Sequence, residues 1–164
     1  MAVSSGRATV TLPTDEQILI TREFDAPRHL VYRAWTTPEL VRRWWSGGRG
    51  EMTVVEIDLR VGGAWRYVFT TESGFEVGFH GEYREIVADE RIVATEVYEG
   101  AEAPPGFEAP VNTVVLSDTS GGTRLTLLTD CHSKALRDLI VDSGMEAGVQ
   151  DQMDVLEEVA RSLR

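Results

Sequence analysis

The sequence predicts an α+β fold in which a curved antiparallel sheet of about seven strands packs around one long C-terminal helix. Two observations carry this prediction. β-branched and aromatic residues recur with a period of two between residues 51 and 131, and apolar residues recur at steps of three and four beyond residue 144. Two short helices after the first strand complete the layer, because a sheet with one apolar face needs helices to cover it.

The opening of the chain combines a polar segment with one strand and two helix signals. We expect residues 1–16 to form a tail or an edge extension before a single domain that spans 17–164. The stretch "QILITREF" predicts a strand from its β-branched content, without a clear facing. Proline is favoured in the first turn of a helix, which predicts one short helix over about 27–35 and a second one from Pro38.

Six strand-like runs follow: "EMTVVEIDLR", "AWRYVFT", "FEVGFHGEYREIV", "RIVATEVY", "VNTVVLS" and "TRLTLLTDC". Gly62 and Gly63 lie between the first two runs. Because glycine adopts positive φ angles without steric cost, the pair predicts a tight hairpin. Gly78 and Gly81 lie inside the third run, where glycine weakens a strand unless a bend or bulge is needed, so we expect the sheet to curl there.

The C-terminal region carries two helix signals separated by Gly144. Ser133 is a suitable N-cap for the first helix, and Gly144 ends or kinks it. The second helix is strongly amphipathic. Its apolar stripe consists of Met145, Val149, Met153, Leu156, Ala160 and Leu163.

Composition excludes several classes of function. The chain has 16 Lys plus Arg against 27 Asp plus Glu, a formal net charge of −11, so phosphate backbones and anionic lipid surfaces would be repelled. No apolar run is long enough to span a bilayer, and residues 1–6 lack an export signal. The single cysteine, Cys131, ends an apolar strand and suits a small core residue in a reducing compartment. We therefore expect a cytoplasmic protein without nucleic-acid binding or membrane insertion.

A sheet that curls around a helix can leave a cavity between them. At about 24 cal/mol per Å³, an empty void of about 300 Å³ would cost roughly 7 kcal/mol, so a large pocket should hold water or a ligand. The same residues could instead simply close the core, because tryptophan buries a large area in any fold. The predicted ligand-binding residues are Trp35, Trp45, Trp65, Tyr67, Phe69, Phe79, Tyr83, Met145, Val149 and Met153.

Polar side chains offer one candidate for catalysis. His80, Glu82 and Arg84 share one face of a strand and could transfer protons if that face met a pocket. The aromatic residues of this strand occupy the other face, which favours a solvated role for all three. The three histidines have no metal-ligand spacing among them. We therefore assign no catalytic residue and predict no metal and no cofactor.

Two loops carry secondary expectations. Asp58 and Arg60 precede the glycine pair and Arg66 follows it, which predicts a local ion-pair network that fixes the hairpin. Phe107 lies in the proline-rich loop, where it could close the pocket or contact a neighbouring subunit. An edge strand or this loop could also support a homodimer.

Five stretches of the sequence together resemble a known family. They are "FDAPRHLVYRAWTTPELVRRWW", "DLRVGGAWRYV", "GFHGEYREIVADERIVATE", "GGTRLTLLT" and "SGMEAGVQDQMDVLEEVA", within about residues 17–163. The chain resembles the activator of heat-shock-protein-ninety ATPase homologues, within the START-like (SRPBCC) superfamily of helix-grip, birch-pollen-allergen-like proteins. The eukaryotic co-chaperone of that name has an additional N-terminal domain, for which this chain has no room. The chain is therefore similar to the bacterial single-domain members.

The resemblance implies a helix-grip domain with an interior cavity, and three functions follow as expectations. The first is the binding of a small hydrophobic or amphipathic molecule. The second is an enzyme of the polyketide cyclase or hydrolase kind. The third is a protein-interaction module related to chaperone ATPase activation, with a chaperone as partner.

Overall fold

A computed structural model describes residues 7–100, 102 and 105–164. The expectations for residues 1–6, both as part of a tail and as lacking an export signal, lie outside the described residues, as do three positions of the proline-rich loop. The elements in chain order are β1 (Thr9–Thr11), β2 (Gln17–Phe24), α1 (Arg28–Thr36), α2 (Pro38–Trp44), β3 (Gly50–Ile57), β4 (Ala64–Thr71), β5 (Glu76–Val87), β6 (Arg91–Thr95), β7 (Val97–Tyr98), β8 (Val111–Asp118), β9 (Thr123–Asp130), α3 (Lys134–Asp142) and α4 (Met145–Ser162).

The strands form one antiparallel sheet in the order β1-β2-β9-β8-β6-β5-β4-β3, and β7 pairs with β5. The α+β helix-grip architecture predicted from the sequence is confirmed. Within the described residues the sheet has nine strands rather than about seven, because two very short strands are added. β1 extends the edge beside β2, and the predicted strand "RIVATEVY" divides at Glu96 into β6 and β7.

β2 has a clear facing that its sequence did not predict. Its even-numbered residues all face the interior, and Arg22 is among them with only 2% of its surface exposed. An arginine can be buried there because α4 supplies opposite charge. Asp154 Oδ1 lies 2.8 Å and Glu157 Oε1 3.5 Å from the guanidinium nitrogens.

The glycines of β5 and of the β3–β4 loop lie where other parts of the backbone come very close. A Cβ atom on Gly81 would overlap the carbonyl oxygen of Thr95 and press on the indole nitrogen of Trp65. The β3–β4 connection has six residues and is not the tight hairpin we predicted. Gly62, at φ +85°, and Gly63 instead exchange backbone hydrogen bonds of 2.8 and 2.9 Å with Tyr83, which docks the loop on β5.

The helices begin close to the predicted positions. α1 starts directly after Pro27 and α2 starts at Pro38. Ser133 caps α3 as predicted, since its Oγ accepts a 3.1 Å hydrogen bond from the Leu136 backbone N–H. Gly144, at φ +85°, separates α3 from α4. None of the helices in the described part of the chain is long and apolar enough to cross a membrane.

The concave face of the sheet packs on α4 with α1 and α2 alongside. The fully buried residues of α4 are Met153, Leu156, Val159 and Ala160. Met145 lies outside this main core and contacts a second cluster around Ile18 and Cys131. Cys131 is buried, as expected of a small core residue, and burial raises the pKa of its thiol to about 11.

Candidate functional site

A cavity of about 70 Å³ lies between the two short helices and the concave face of the sheet. Its walls come from α1, the end of α2, and strands β4, β5, β6, β8 and β9. The lining residues are Trp35, Trp44, Trp45, Trp65, Tyr67, Tyr83, Ile92, Ala94, Asn112, Val114 and Leu127.

Aromatic rings in edge-on or tilted contact form most of the wall. The ring centroids of Trp45 and Tyr67 are 5.2 Å apart, and those of Trp65 and Tyr67 are 4.8 Å apart. Trp35 contacts Trp44 at 5.0 Å. Trp44 is fully buried, whereas Trp35 and Trp45 are partly exposed. Trp35 and Trp45 therefore form the outer wall between the cavity and solvent.

Half of the predicted ligand-binding residues line this cavity, namely Trp35, Trp45, Trp65, Tyr67 and Tyr83. The other half lie elsewhere: Phe69, Phe79, Met145, Val149 and Met153. Phe69 and Phe79 do not line the cavity but contact Trp45, with ring centroids 6.0 and 5.3 Å away. Val149 and Met153 pack in the core, and Met145 belongs to the second cluster. The ligand role of all ten residues remains a prediction.

Sequence reasoning missed six lining residues: Trp44, Ile92, Ala94, Asn112, Val114 and Leu127. Four of them belong to β6 and β8, which pair directly, and Leu127 lies on β9 beside them. Local periodicity predicts strands but not their order in the sheet. The sequence therefore did not predict that these strands lie under the short helices. One signal could have identified Ile92 and Ala94 as inward-facing: they are two residues apart and therefore share one face of β6. Both are buried in the structure.

Two phenol groups give the cavity a polar side. The hydroxyl groups of Tyr67 and Tyr83 each influence the pKa of the other. Burial raises the pKa of Tyr67 well above its ordinary value and the pKa of Tyr83 to about 12. Both phenols therefore keep their protons at neutral pH and can offer O–H groups to a ligand.

A second polar group, the Asn112 amide, connects the cavity to the carboxyl group of Glu96. Asn112 Nδ2 donates to Glu96 Oε1 at 3.2 Å, and Asn112 Oδ1 accepts from the Thr129 hydroxyl at 2.7 Å. Part of Glu96 remains accessible to solvent, but its carboxyl group is surrounded by protein. Burial raises the pKa of this carboxyl, and the hydrogen bond from Asn112 opposes the rise only in part.

The polar face of β5 lies on the other side of the sheet from the cavity. His80, Glu82 and Arg84 are exposed, as the solvated interpretation predicts. His80 Nδ1 lies 2.8 Å from Glu99 Oε2. Glu99 also accepts two 2.9 Å hydrogen bonds from Arg66, whose guanidinium holds the pKa of this carboxyl below its ordinary value.

The predicted ion-pair network at the glycine turn is confirmed only in part. Arg60 Nε lies 2.9 Å from Asp58 Oδ2. Arg66 does not join this pair, because it contacts Glu99 of the segment after β7. Phe107 is 37% exposed and is not among the residues that line the cavity.

A larger open cleft of about 470 Å³ lies at the opposite end of β8, next to the start of α1. Arg28, His29 and Arg164 bring positive charge to it, and Asp89 and Asp118 bring negative charge. Arg28 already pairs with Asp118 at 3.2 Å. Because its charges largely offset one another and it opens widely to solvent, this cleft is a weaker candidate than the aromatic cavity. No three of the described residues form a cluster suited to hold a metal ion.

A curved antiparallel sheet closed by a C-terminal helix over an interior cavity defines the helix-grip class of proteins. The family model for "Activator of Hsp90 ATPase homolog 1-like protein" matches residues 25–161, and the chain belongs to this family. The comparison with curated proteins found no match.

Solved structures of bacterial proteins share the whole fold. A protein from Rhodobacter sphaeroides is 21% identical with a TM-score of 0.87, over 96% of this chain and 99% of that chain. One from Nitrosomonas europaea is 25% identical with a TM-score of 0.81, over 92% and 97%. An AHSA1-like protein from Aeromonas hydrophila is 20% identical with a TM-score of 0.66, over 90% and 93%.

Proposed function

We propose that this chain is a cytoplasmic binding protein that holds a small hydrophobic or amphipathic molecule in the aromatic cavity. The observation that carries the proposal is a cavity walled by six aromatic rings, with the Tyr67–Tyr83 pair and the Asn112 amide as its polar groups. Mostly apolar walls with a few convergent polar groups are typical of small-molecule sites.

The size of the cavity limits how a ligand enters. A cavity of about 150 Å³ accommodates benzene, so about 70 Å³ is room for only a few heavy atoms. Left empty, such a void costs about 1.7 kcal/mol at 24 cal/mol per Å³, which the fold can tolerate. A larger ligand therefore needs Trp35 or Trp45 to move outward, and both are partly exposed.

The residues named for the enzymatic alternative do not line the cavity. A cyclase or hydrolase that used His80 or Glu82 would need these side chains in the cavity, and both are on the exposed face of β5. The chaperone-related alternative rests on the family description alone, so binding in the cavity is the function we put forward.

A thermal-shift screen combined with tryptophan fluorescence tests this function. A ligand at a hundred times its dissociation constant should raise the free energy of unfolding by about 2.7 kcal/mol, and movement of Trp45 should change the emission. The panel would contain fatty acids, polyketide-like aromatic compounds and small amphipathic amines and alcohols.

A cavity-filling variant makes the screen specific. Ala94 lines the cavity, so Ala94→Leu should abolish the response while the protein stays folded. Ala64→Leu, at an exposed position of β4, is the matched control and should respond like the natural protein. If no compound shifts the natural protein, or if both variants respond equally, the proposed function is wrong.

A further inference from the structure

The described residues that line the aromatic cavity carry no positive charge. Among the described residues that line it there is no arginine, lysine or histidine, although basic side chains are frequent on the surface of the protein. Six aromatic rings surround the space instead: Trp35, Trp44, Trp45, Trp65, Tyr67 and Tyr83. The face of an aromatic ring carries negative partial charge and attracts cations, tryptophan most strongly.

An acidic residue lies one hydrogen bond away from the cavity lining. The Glu96 carboxyl accepts the Asn112 amide hydrogen at 3.2 Å, and Asn112 itself lines the cavity. Burial is the main cause of the raised pKa of Tyr67, and the negative charge of Glu96 makes the smallest contribution to the rise. No described basic side chain forms an ion pair with Glu96, so the negative charge of this carboxylate has no counter-ion inside the cavity wall.

We propose that the molecule bound in the cavity is a small organic cation of the methylated ammonium type. This inference rests on the proposed function and adds the charge of the ligand to it. With Trp35 or Trp45 moved outward to admit it, the cation would place its methyl groups against the rings, and the nearby Glu96 carboxylate would balance its charge. The formal net charge of −11 favours the approach of cations and disfavours anions.

The proposal makes binding depend on pH in one direction. A bound cation favours ionised Glu96 over the neutral acid, so affinity should rise as pH increases through the pKa of this carboxyl. The other groups around it are Tyr67 on β4, Asn112 on β8 and Cys131 after β9, with Asp130, Glu16 and Arg137 near Cys131. Tyr67 and Cys131 both have raised pKa values and remain protonated from pH 5 to pH 8, so they add no titration in this range.

A pair of probes that differ only in charge tests the proposal. Choline and 3,3-dimethylbutan-1-ol have the same shape, with N⁺ replaced by carbon in the alcohol. We expect choline to bind at least tenfold more tightly at pH 8, measured by NMR titration of the natural protein, and its affinity to fall toward pH 5. Because this comparison uses the natural protein, it does not depend on the folding of any variant.

Two variants locate the source of the preference. Glu96→Gln keeps the acceptor for Asn112 and should reduce the preference for choline to below threefold while removing the pH dependence. Glu82→Gln, on the exposed face of β5, is the control and should change neither.

The outcomes separate the two proposals. If the alcohol binds as tightly as choline and Ala94→Leu abolishes both, the cavity binds ligands and the cation inference is wrong. If choline binds equally well to Glu96→Gln and to the natural protein, the inference is also wrong. If neither probe binds and the wider panel is silent, both proposals fail.

Discussion

The indole ring of Trp45 is edge-on to the phenol ring of Tyr67, with the ring centroids 5.2 Å apart and the planes inclined at 69°. Trp45 directly follows α2, and it also meets Phe69 and Phe79 edge-on. One partly exposed side chain therefore connects the end of a short helix to strands β4 and β5 and closes the cavity.

Removal of this ring should cost stability. We expect Trp45→Ala to lower the free energy of unfolding by about 3 kcal/mol, near the lower end of the range for large-to-small core changes because Trp45 is partly exposed. Urea denaturation measures the change. Phe75→Ala, at a side chain that is 70% exposed, should stay within about 0.5 kcal/mol and serves as the control. If the two variants were equally stable, Trp45 would not be holding α2 against β4 and β5.

A methyl group at Gly81 should disrupt the sheet. Its Cβ would overlap the Thr95 carbonyl oxygen, which accepts a 3.1 Å hydrogen bond from Trp65 Nε1. We expect Gly81→Ala to lower the free energy of unfolding by about 1–3 kcal/mol, the usual cost of overpacking. Gly148→Ala is the matched control, because its Cβ meets nothing within 4 Å on α4 and should stabilise the helix by about 0.5–1 kcal/mol. A Gly81→Ala protein as stable as the natural one would contradict the close approach of Gly81 to Thr95.

The buried arginine of β2 should matter far more than its exposed neighbours. Arg22→Ala removes a buried guanidinium that pairs with Asp154 and Glu157 of α4, so we expect a loss of about 3 kcal/mol or more in thermal or urea unfolding. Arg124→Ala breaks a 3.4 Å pair with Glu23 in which both side chains are about half exposed, and should cost below about 0.5 kcal/mol. Similar losses in the two variants would argue against the packing of β2 on α4.

Glu96 should give the protein a specific dependence of stability on pH. Its pKa is raised in the folded state, so the folded protein holds this proton to higher pH than the unfolded chain. The contribution of Glu96 is most favourable below its ordinary pKa and is lost as pH rises through the folded value. Glu96→Gln has no such proton, so its stability relative to the natural protein should increase between pH 4 and pH 8. A constant difference across this range would place Glu96 in solvent.

The sequence predicted the elements better than it predicted the site. Local signals sufficed for α1, α2 and α3, because a proline in the first turn and the Ser133 cap act within a few residues. The burial of Arg22 was harder to predict, because it depends on acidic residues that lie 132 and 135 positions away in the chain. The acidic residues of α4 allow Arg22 to face the interior, and the alternation of residues within β2 does not show this.

The sequence predicted an aromatic cavity but only about half of the residues that line it. The aromatic residues of β4 were found because their period of two places Trp65 and Tyr67 on one face. Asn112 and Glu96 were missed, since their contact joins the start of β8 to the break between β6 and β7. Met145 was grouped with the cavity but contacts the second cluster, because a helical stripe predicts burial but not which cluster a residue joins.

Intermolecular NOEs between a bound small molecule and the methyl groups of Ile92 and Val114 would test the central idea most directly. These buried side chains line the cavity, so a ligand must enter the cavity to reach them. We predict strong NOEs to both residues from a compound selected in the thermal-shift screen. NOEs confined to exposed side chains such as Phe75 and Leu139, with none to Ile92 or Val114, would contradict binding in the cavity.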